Sequence, residues 1–197
     1  GVNLLNAAII ERGIQGPSNV LYYMSKKLFE ILSNSYTVEH IKDDMEVAIA
    51  EINYEKKELL FASSRNRMYY VTYNNKSLDS HDRISILYND EEKTMYKLNG
   101  NREFLTSAEN KNKFTDFNID IKNNDIFFLS SDGYYDQFGE KNSIKYKRKR
   151  FEKRLFDISQ STISNQKEEL LKEFNDFKGN MPQTDDVTVI GIRLILE

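Results

Sequence analysis

Apolar residues recur at helical intervals at the start of the chain, shorten to strand periods through its middle, and return to helical intervals near its end. In 3–12, Leu4, Leu5, Ala8 and Ile9 fall on one helical face and predict a first helix. Gly13 and Gly16 interrupt it, and Pro17 suits the first turn of a second helix. Leu21, Met24, Leu28, Ile31 and Leu32 form that helix's stripe, which predicts a core-facing surface. Segments 45–53, 59–62, 68–73, 84–88, 94–98 and 114–121 read as strands, with 74–83 and 100–112 as loops. Short polar turns between consecutive strands predict an antiparallel meander. The run Ile126 to Leu129 is continuously apolar, so 125–131 is expected as a strand buried on both faces. A basic stretch at 143–154 then enters a helix with Phe151, Leu155 and Ile158 as its apolar edge. Capping residues at 161–164 precede the stripe Leu170, Phe174 and Phe177, and Gly179 stops that helix. The last strand is expected at 187–196. Helices, antiparallel strands, helices and a closing strand predict an α+β fold, with two helices on each outer side of packed sheets. No internal repeat or linker divides the chain, so 1–197 reads as one domain.

Two places bring carboxylates to strand ends. Asp132 follows the buried strand, where Gly133 turns the chain. Asp185 and Asp186 precede the final strand. Asp132 either caps its turn, as Asp-Gly pairs commonly do, or serves as a metal ligand held at a rigid strand end. Two such strands lying antiparallel would bring the carboxylates together. Their mutual repulsion would force one to protonate unless a cation intervenes. Hard oxygen donors suit magnesium or manganese.

Composition narrows the chemistry. The 197 residues carry a net charge of −3, which argues against a general nucleic-acid binder. With no cysteine there is neither a disulfide nor a thiolate metal site. His40 and His81 are the only histidines, too few for a His-rich zinc site. No apolar run reaches the roughly 20 residues that span a bilayer, and no signal-peptide pattern opens the chain, so a cytoplasmic domain without membrane insertion is expected. Lys145, Lys147, Arg148, Lys149, Arg150, Lys153 and Arg154 read either as a solvated helical face or as a docking patch for an acidic or phosphorylated protein.

Ser-Ser-Asp-Gly-Tyr-Tyr-Asp-Gln-Phe-Gly at 130–139, with Thr-Asp-Asp-Val-Thr-Val-Ile at 184–190, resembles the SpoIIE-like serine phosphatases of the PPM metal-dependent class. Asn3-Leu4-Leu5-Asn6, Asp43-Asp44-Met45-Glu46 and Leu60-Phe61-Ala62-Ser63-Ser64-Arg65-Asn66 extend the resemblance over nearly the whole chain. It implies an α-β-β-α sandwich that hydrolyses phosphoserine or phosphothreonine. Two Mn2+ or Mg2+ ions, about 3.5–4 Å apart, would activate a water. It also implies that Asp132 and Asp185 are metal ligands, that Asp186 lies just behind them, and that Gly133 lets the backbone turn beside the metal. A phosphoprotein substrate is expected, such as an anti-sigma-factor-antagonist-like regulator, together with an upstream sensor domain in the parent chain.

The chain departs from the family pattern in several places. The family's upstream Gly-Asp-x-x-Gly-His-Gly-like segment, whose aspartate bridges the metals, has no counterpart here. Either the chain is the C-terminal portion of a longer phosphatase or its parent has lost the segment. In both cases the chain as it stands is expected to bind metal weakly. Asp44 and Glu46 replace a glycine and an aspartate, and the Pro-Ile-Gly turn expected between about 98 and 110 is not evident, with 98–103 reading as a changed loop there. The competing reading is a catalytically inactive pseudophosphatase that binds a phosphorylated or acidic partner through the basic stretch.

Overall fold

The computed structural model describes residues 1–35, 45–73, 78, 81–106, 114–141 and 143–196. In chain order these form α1 (Val2–Asn6), a π-helical turn (Ala7–Glu11), α2 (Pro17–Ser35), β1 (Val47–Asn53), β2 (Glu58–Ser64) and β3 (Arg67–Thr72). They continue with β4 (Ile84–Asn89), β5 (Thr94–Asn99), β6 (Phe117–Asp120), β7 (Ile126–Ser130), α3 (Gly133–Asp136), α4 (Arg148–Ile158), α5 (Ile163–Lys178) and β8 (Val189–Arg193). The strands make two sheets, ordered β1-β2-β6 and β4-β5-β3-β7-β8. The α+β class expected from the pattern is the one observed. By contacts the chain divides into two compact units, Gly1–Arg67 with Leu98–Ile121 and Met68–Lys97 with Lys122–Glu197.

In the first unit, β2 pairs antiparallel with β1 from Val47↔Ser64 to Asn53↔Glu58, and with β6 on its other edge. Helix α2 lies against β1 and β2. Its Val20, Leu21 and Met24 pack with Ala8, Ala62, Leu105 and Phe114. The Asp116 carboxylate accepts from the Ser18 N–H at 2.8 Å and from the Ser18 hydroxyl at 2.5 Å, which satisfies a free donor of the first turn of α2. The first predicted helix instead widens after Asn6, where the Arg12 N–H reaches back five residues to the Ala7 carbonyl at 3.2 Å. Ala8 is that turn's buried residue, and Ile10, at 76% exposure, faces out.

The predicted meander is corrected. β3 does not pair with β2 but joins the second sheet. A strand has two hydrogen-bonding edges, and those of β2 are taken by β1 and β6. Phe61 of β2 stacks on Phe117 of β6, with ring centroids 6.0 Å apart. β6 is also shorter than predicted. Asp116 is drawn away to Ser18, and the Thr115 N–H donates to the Asn101 side chain at 3.2 Å.

In the second unit, β7 runs between β3 and β8 and is antiparallel to both. Ile126, Phe127 and Phe128 are buried, as the continuous apolar run predicts. α4 and α5 contribute Phe151, Leu155, Leu170 and Phe174 to the same core as Tyr69, Ile126 and Phe128. The Thr162 side chain caps α5 by accepting from the Asn165 N–H at 3.3 Å, and Gly179 ends the helix at φ 55°.

The basic stretch is largely neutralised within this unit. Arg150 and Arg154 pair with Glu173 at 2.9 and 2.8 Å, and Arg154 also pairs with Glu169 at 2.7 Å. Lys145 pairs with Asp136 at 3.0 Å and Lys153 with Asp157. The Arg148 guanidinium lies over the Tyr135 ring.

Asp125, 1% exposed, immediately precedes β7. Its carboxylate accepts from the Tyr70 hydroxyl and, at 2.9 Å, from the Lys122 N–H. Burial pushes this carboxyl above its ordinary value, and those two hydrogen bonds pull against the shift. The folded state therefore holds the proton more tightly than the unfolded chain. The ionised carboxylate costs stability at neutral pH, and that cost fades as pH falls through the raised folded value. Asp125→Asn removes the titration. Denaturant melts at pH 7 and at about pH 4 should show wild type gaining stability relative to the variant on acidification.

Candidate metal site at the ends of β7 and β8

Asp132 is the residue before α3. Its carbonyl accepts from the N–H groups of Tyr135 and Asp136 at 3.0 Å each, so the turn expected at Gly133 is a one-turn helix. Tyr134 fastens that helix to the core. Its ring lies 4.8 Å from Phe151, 5.1 Å from Phe174 and 5.2 Å from Tyr146, and its hydroxyl donates to the Leu170 carbonyl at 2.9 Å. Aromatic contacts of this kind add about 0.5–1.5 kcal/mol each beyond area burial. Asp132 itself is exposed, yet the backbone that carries it is rooted in packed rings.

The second acidic segment reaches Asp132 through the strand register. Ser130 pairs with Val189 in the last step of the β7–β8 ladder. One step on, the Ser131 N–H donates to the Thr188 carbonyl at 3.0 Å. The Ser131 hydroxyl then makes two further bonds. It accepts from the Thr188 N–H at 2.9 Å and donates to the Asp186 carbonyl at 2.9 Å. This side-chain substitution in the ladder explains why β8 starts at Val189 and not at 187. It ends at Arg193, short of the predicted 196. Beyond Ser131, the chain passes Gly133 so closely that a Cβ there would lie 2.3 Å from the Asp186 carbonyl oxygen.

The structure therefore brings the backbones of Asp132 and Asp186 together. Asp185 and Asp186 are exposed, and the Asp185 carboxylate accepts from the Asp186 N–H at 2.7 Å. The resulting set is hard oxygen at the surface, on a glycine-lined approach. It fits a hard divalent cation that keeps most of its waters and uses one or two carboxylates. Among the described residues, no group of three or more His, Cys, Asp or Glu residues converges on one point. Asp136 is engaged by Lys145. Glu46 lies in the other unit, 3.7 Å from Arg65. Asp43 and Asp44 lie outside the described residues, as does 107–110 of the region where the altered loop is expected.

Two residues that bond to the 182–188 segment do not stand out in the sequence. Ser131 reads as one of two adjacent serines before the aspartate, and only the ladder shows which one bridges to β8. Gln137 is one polar residue of the 130–139 motif, but it is fully buried and bonded to the segment before Asp185.

Gly133→Ala would place a methyl group against the Asp186 carbonyl and within 3.3 Å of the Val187 side chain. Forced overpacking of this kind costs about 1–3 kcal/mol. The variant should melt at a lower temperature than wild type in a calorimetric scan, because the 186–187 backbone must move away from Asp132.

Solved structures share this fold. The SiaA-PP2C domain of Pseudomonas aeruginosa aligns over 98% of this chain and 66% of its own, with a TM-score of 0.75 and 19% identity. The phosphatase domain of the cell fate determinant SpoIIE from Bacillus subtilis, Mn presoaked, aligns over 98% of this chain and 73% of its own, with a TM-score of 0.52 and 16% identity. The chain thus spans just under two thirds of the length of the SiaA-PP2C domain. No curated protein matches the sequence. The family model for Stage II sporulation protein E (SpoIIE) matches residues 80–195, more than half of the chain and the whole of the β7–β8 site, and the chain belongs to that family.

Proposed function

We infer that this chain is a metal-dependent protein phosphatase domain that hydrolyses phosphoserine or phosphothreonine on a signalling regulator protein. The observation that carries this reading is the closure of the β7–β8 ladder by Ser131, which brings the Asp132 and Asp185–Asp186 segments together in exposed positions. Three exposed carboxylates at one end of a sheet would by themselves repel a phosphate dianion. They become useful to phosphate chemistry only with a cation between them and the substrate.

Asp132 and Asp185 are the residues that would hold Mn2+ or Mg2+. Asp186 would orient Asp185 through their shared backbone bond, and Gly133 leaves room for the close approach. When bound, such ions supply charge stabilisation to the phosphoryl oxygens and a water acidified enough to attack at neutral pH. No thiol nucleophile is available, because the chain has no cysteine. The SpoIIE relative prepared with manganese supports the choice of metal. A phosphoprotein of the anti-sigma-factor-antagonist type is the substrate class this family membership favours, with a sensor domain elsewhere in the natural protein.

The internal pairing of Arg150, Arg154, Lys145 and Lys153 favours this reading over the partner-binding one. A docking patch needs charge free to meet an incoming acid, and α5, Asp136 and Asp157 already meet most of it.

Asp132→Asn and Asp185→Asn, made in the natural full-length protein, should each lower Mn2+-dependent hydrolysis of a phosphoserine peptide by about 100-fold or more. Far-UV circular dichroism should remain unchanged, since both side chains are exposed. Undiminished hydrolysis in both variants would sink the proposal.

A further inference from the structure

Gln137 ends α3, five residues after Asp132, and its side chain is 0% exposed. A buried amide is costly unless its donors and acceptor are satisfied. Here most of that satisfaction comes from one place. Nε2 donates to the Pro182 carbonyl at 2.9 Å and to the Phe138 carbonyl at 3.0 Å, while Oε1 accepts from the Thr184 N–H at 3.4 Å. One amide thus grips the chain at 182 and at 184, directly before Asp185. The segment it grips has no ladder of its own, because β8 does not begin until Val189. Residues 182–186 are exposed, so packing does little to fix them. Ser131 holds the far side of Asp185, at 186 and 188. The Gln137 backbone is fixed in turn, since its carbonyl accepts from the Tyr146 N–H at 2.9 Å.

We propose that Gln137 is a positioning residue for the metal site: its buried amide sets where Asp185 stands relative to Asp132. The assignment rests on the phosphatase reading above. An exposed, irregular loop bearing a metal ligand is a poor platform unless its neighbours lock it, and outer partners of this kind change metal affinity when removed. Gln137 and Ser131 bracket Asp185 from both sides, and both belong to the 131–137 segment that carries Asp132. The two ligands are therefore tied to one short piece of chain.

The test is Mn2+ titration by calorimetry, with a melting temperature for each protein, on the natural full-length protein and three variants. Gln137→Met keeps the volume and removes every bond of the amide. Gln137→Glu keeps the shape and sets a carboxylate against the Pro182 and Phe138 carbonyls. Gln166→Met is the control. Gln166 is a second buried amide, 3% exposed, whose Nε2 donates to the Ser159 and Ser161 carbonyls and not to the 182–184 segment.

Both Gln137 variants should bind Mn2+ about 10–100-fold more weakly than wild type, while Gln166→Met binds as wild type does, whatever its melting temperature. Excess Mn2+ should restore kcat in Gln137→Met with KM for a phosphoserine peptide unchanged, a rescue that a merely structural defect would not show. Wild-type affinity in both Gln137 variants would overturn the positioning role and leave the phosphatase reading standing. Equal weakening in Gln166→Met, or Gln137 variants that do not fold, would make Gln137 a residue of the core and overturn the role as well. A wild-type protein that binds no Mn2+ would overturn the phosphatase reading itself, and this assignment with it.

Discussion

The pairing of β7 with β8 is the constraint on which the rest of the site depends. Without it, Asp132 and Asp185 are 53 positions apart on two unrelated turns. With it, the register from Ile126↔Arg193 to Ser130↔Val189 leaves only Ser131 on one strand, and Val187 and Thr188 on the other, before the acidic segments begin. A ladder of backbone bonds is a stiff ruler, because a slip of one residue would turn every side chain to the opposite face. On β7 such a slip would carry Phe128 out of the cluster it shares with Tyr134 and Phe174. Burial of the aromatic core therefore sets the register, and the register sets which residues stand at the adjoining ends of the two strands.

The ladder ends by exchanging one backbone partner for the Ser131 side chain. A regular continuation would have kept 187 and 188 in the sheet and sent Asp185 further along the strand direction. The hydroxyl instead satisfies the Thr188 N–H and the Asp186 carbonyl at once, and the chain bends toward Gly133. Glycine is needed at 133 because a Cβ would lie 2.3 Å from the Asp186 oxygen. Across the bend, Tyr134 and Gln137 fix α3 from below, one by ring packing and the other by its buried amide. Exposed acids on a rigid, dry foundation have the hard-oxygen chemistry that a hydrated divalent cation accepts.

The basic segment shows the opposite outcome. Seven cations between 145 and 154 look like a patch when read along the chain. In the fold, α5 lies beside α4 and supplies Glu169 and Glu173, acids more than a dozen residues away in sequence. Charge counts along a chain take no account of what packs against them. That is why the patch looked larger than it is.

Much of this protein was legible from local pattern. The helical stripes, the strand runs, the Thr162 cap and the Gly179 stop depend on neighbouring residues, and the structure shows each within a few positions of its predicted place. The strand ends beside the two aspartate segments were legible for the same reason, since an apolar run bounded by acidic or turn residues marks a strand end. Pairing was not legible. Period reveals a strand but not its partner, so β3 read as the next turn of a meander although both edges of β2 were already taken. Nor could the pattern separate Ser131 from Ser130, or show Gln137 to be buried. A side-chain hydrogen bond across about 45 residues is decided by where the two strands lie in space, and only the packed core around Tyr134 determines that.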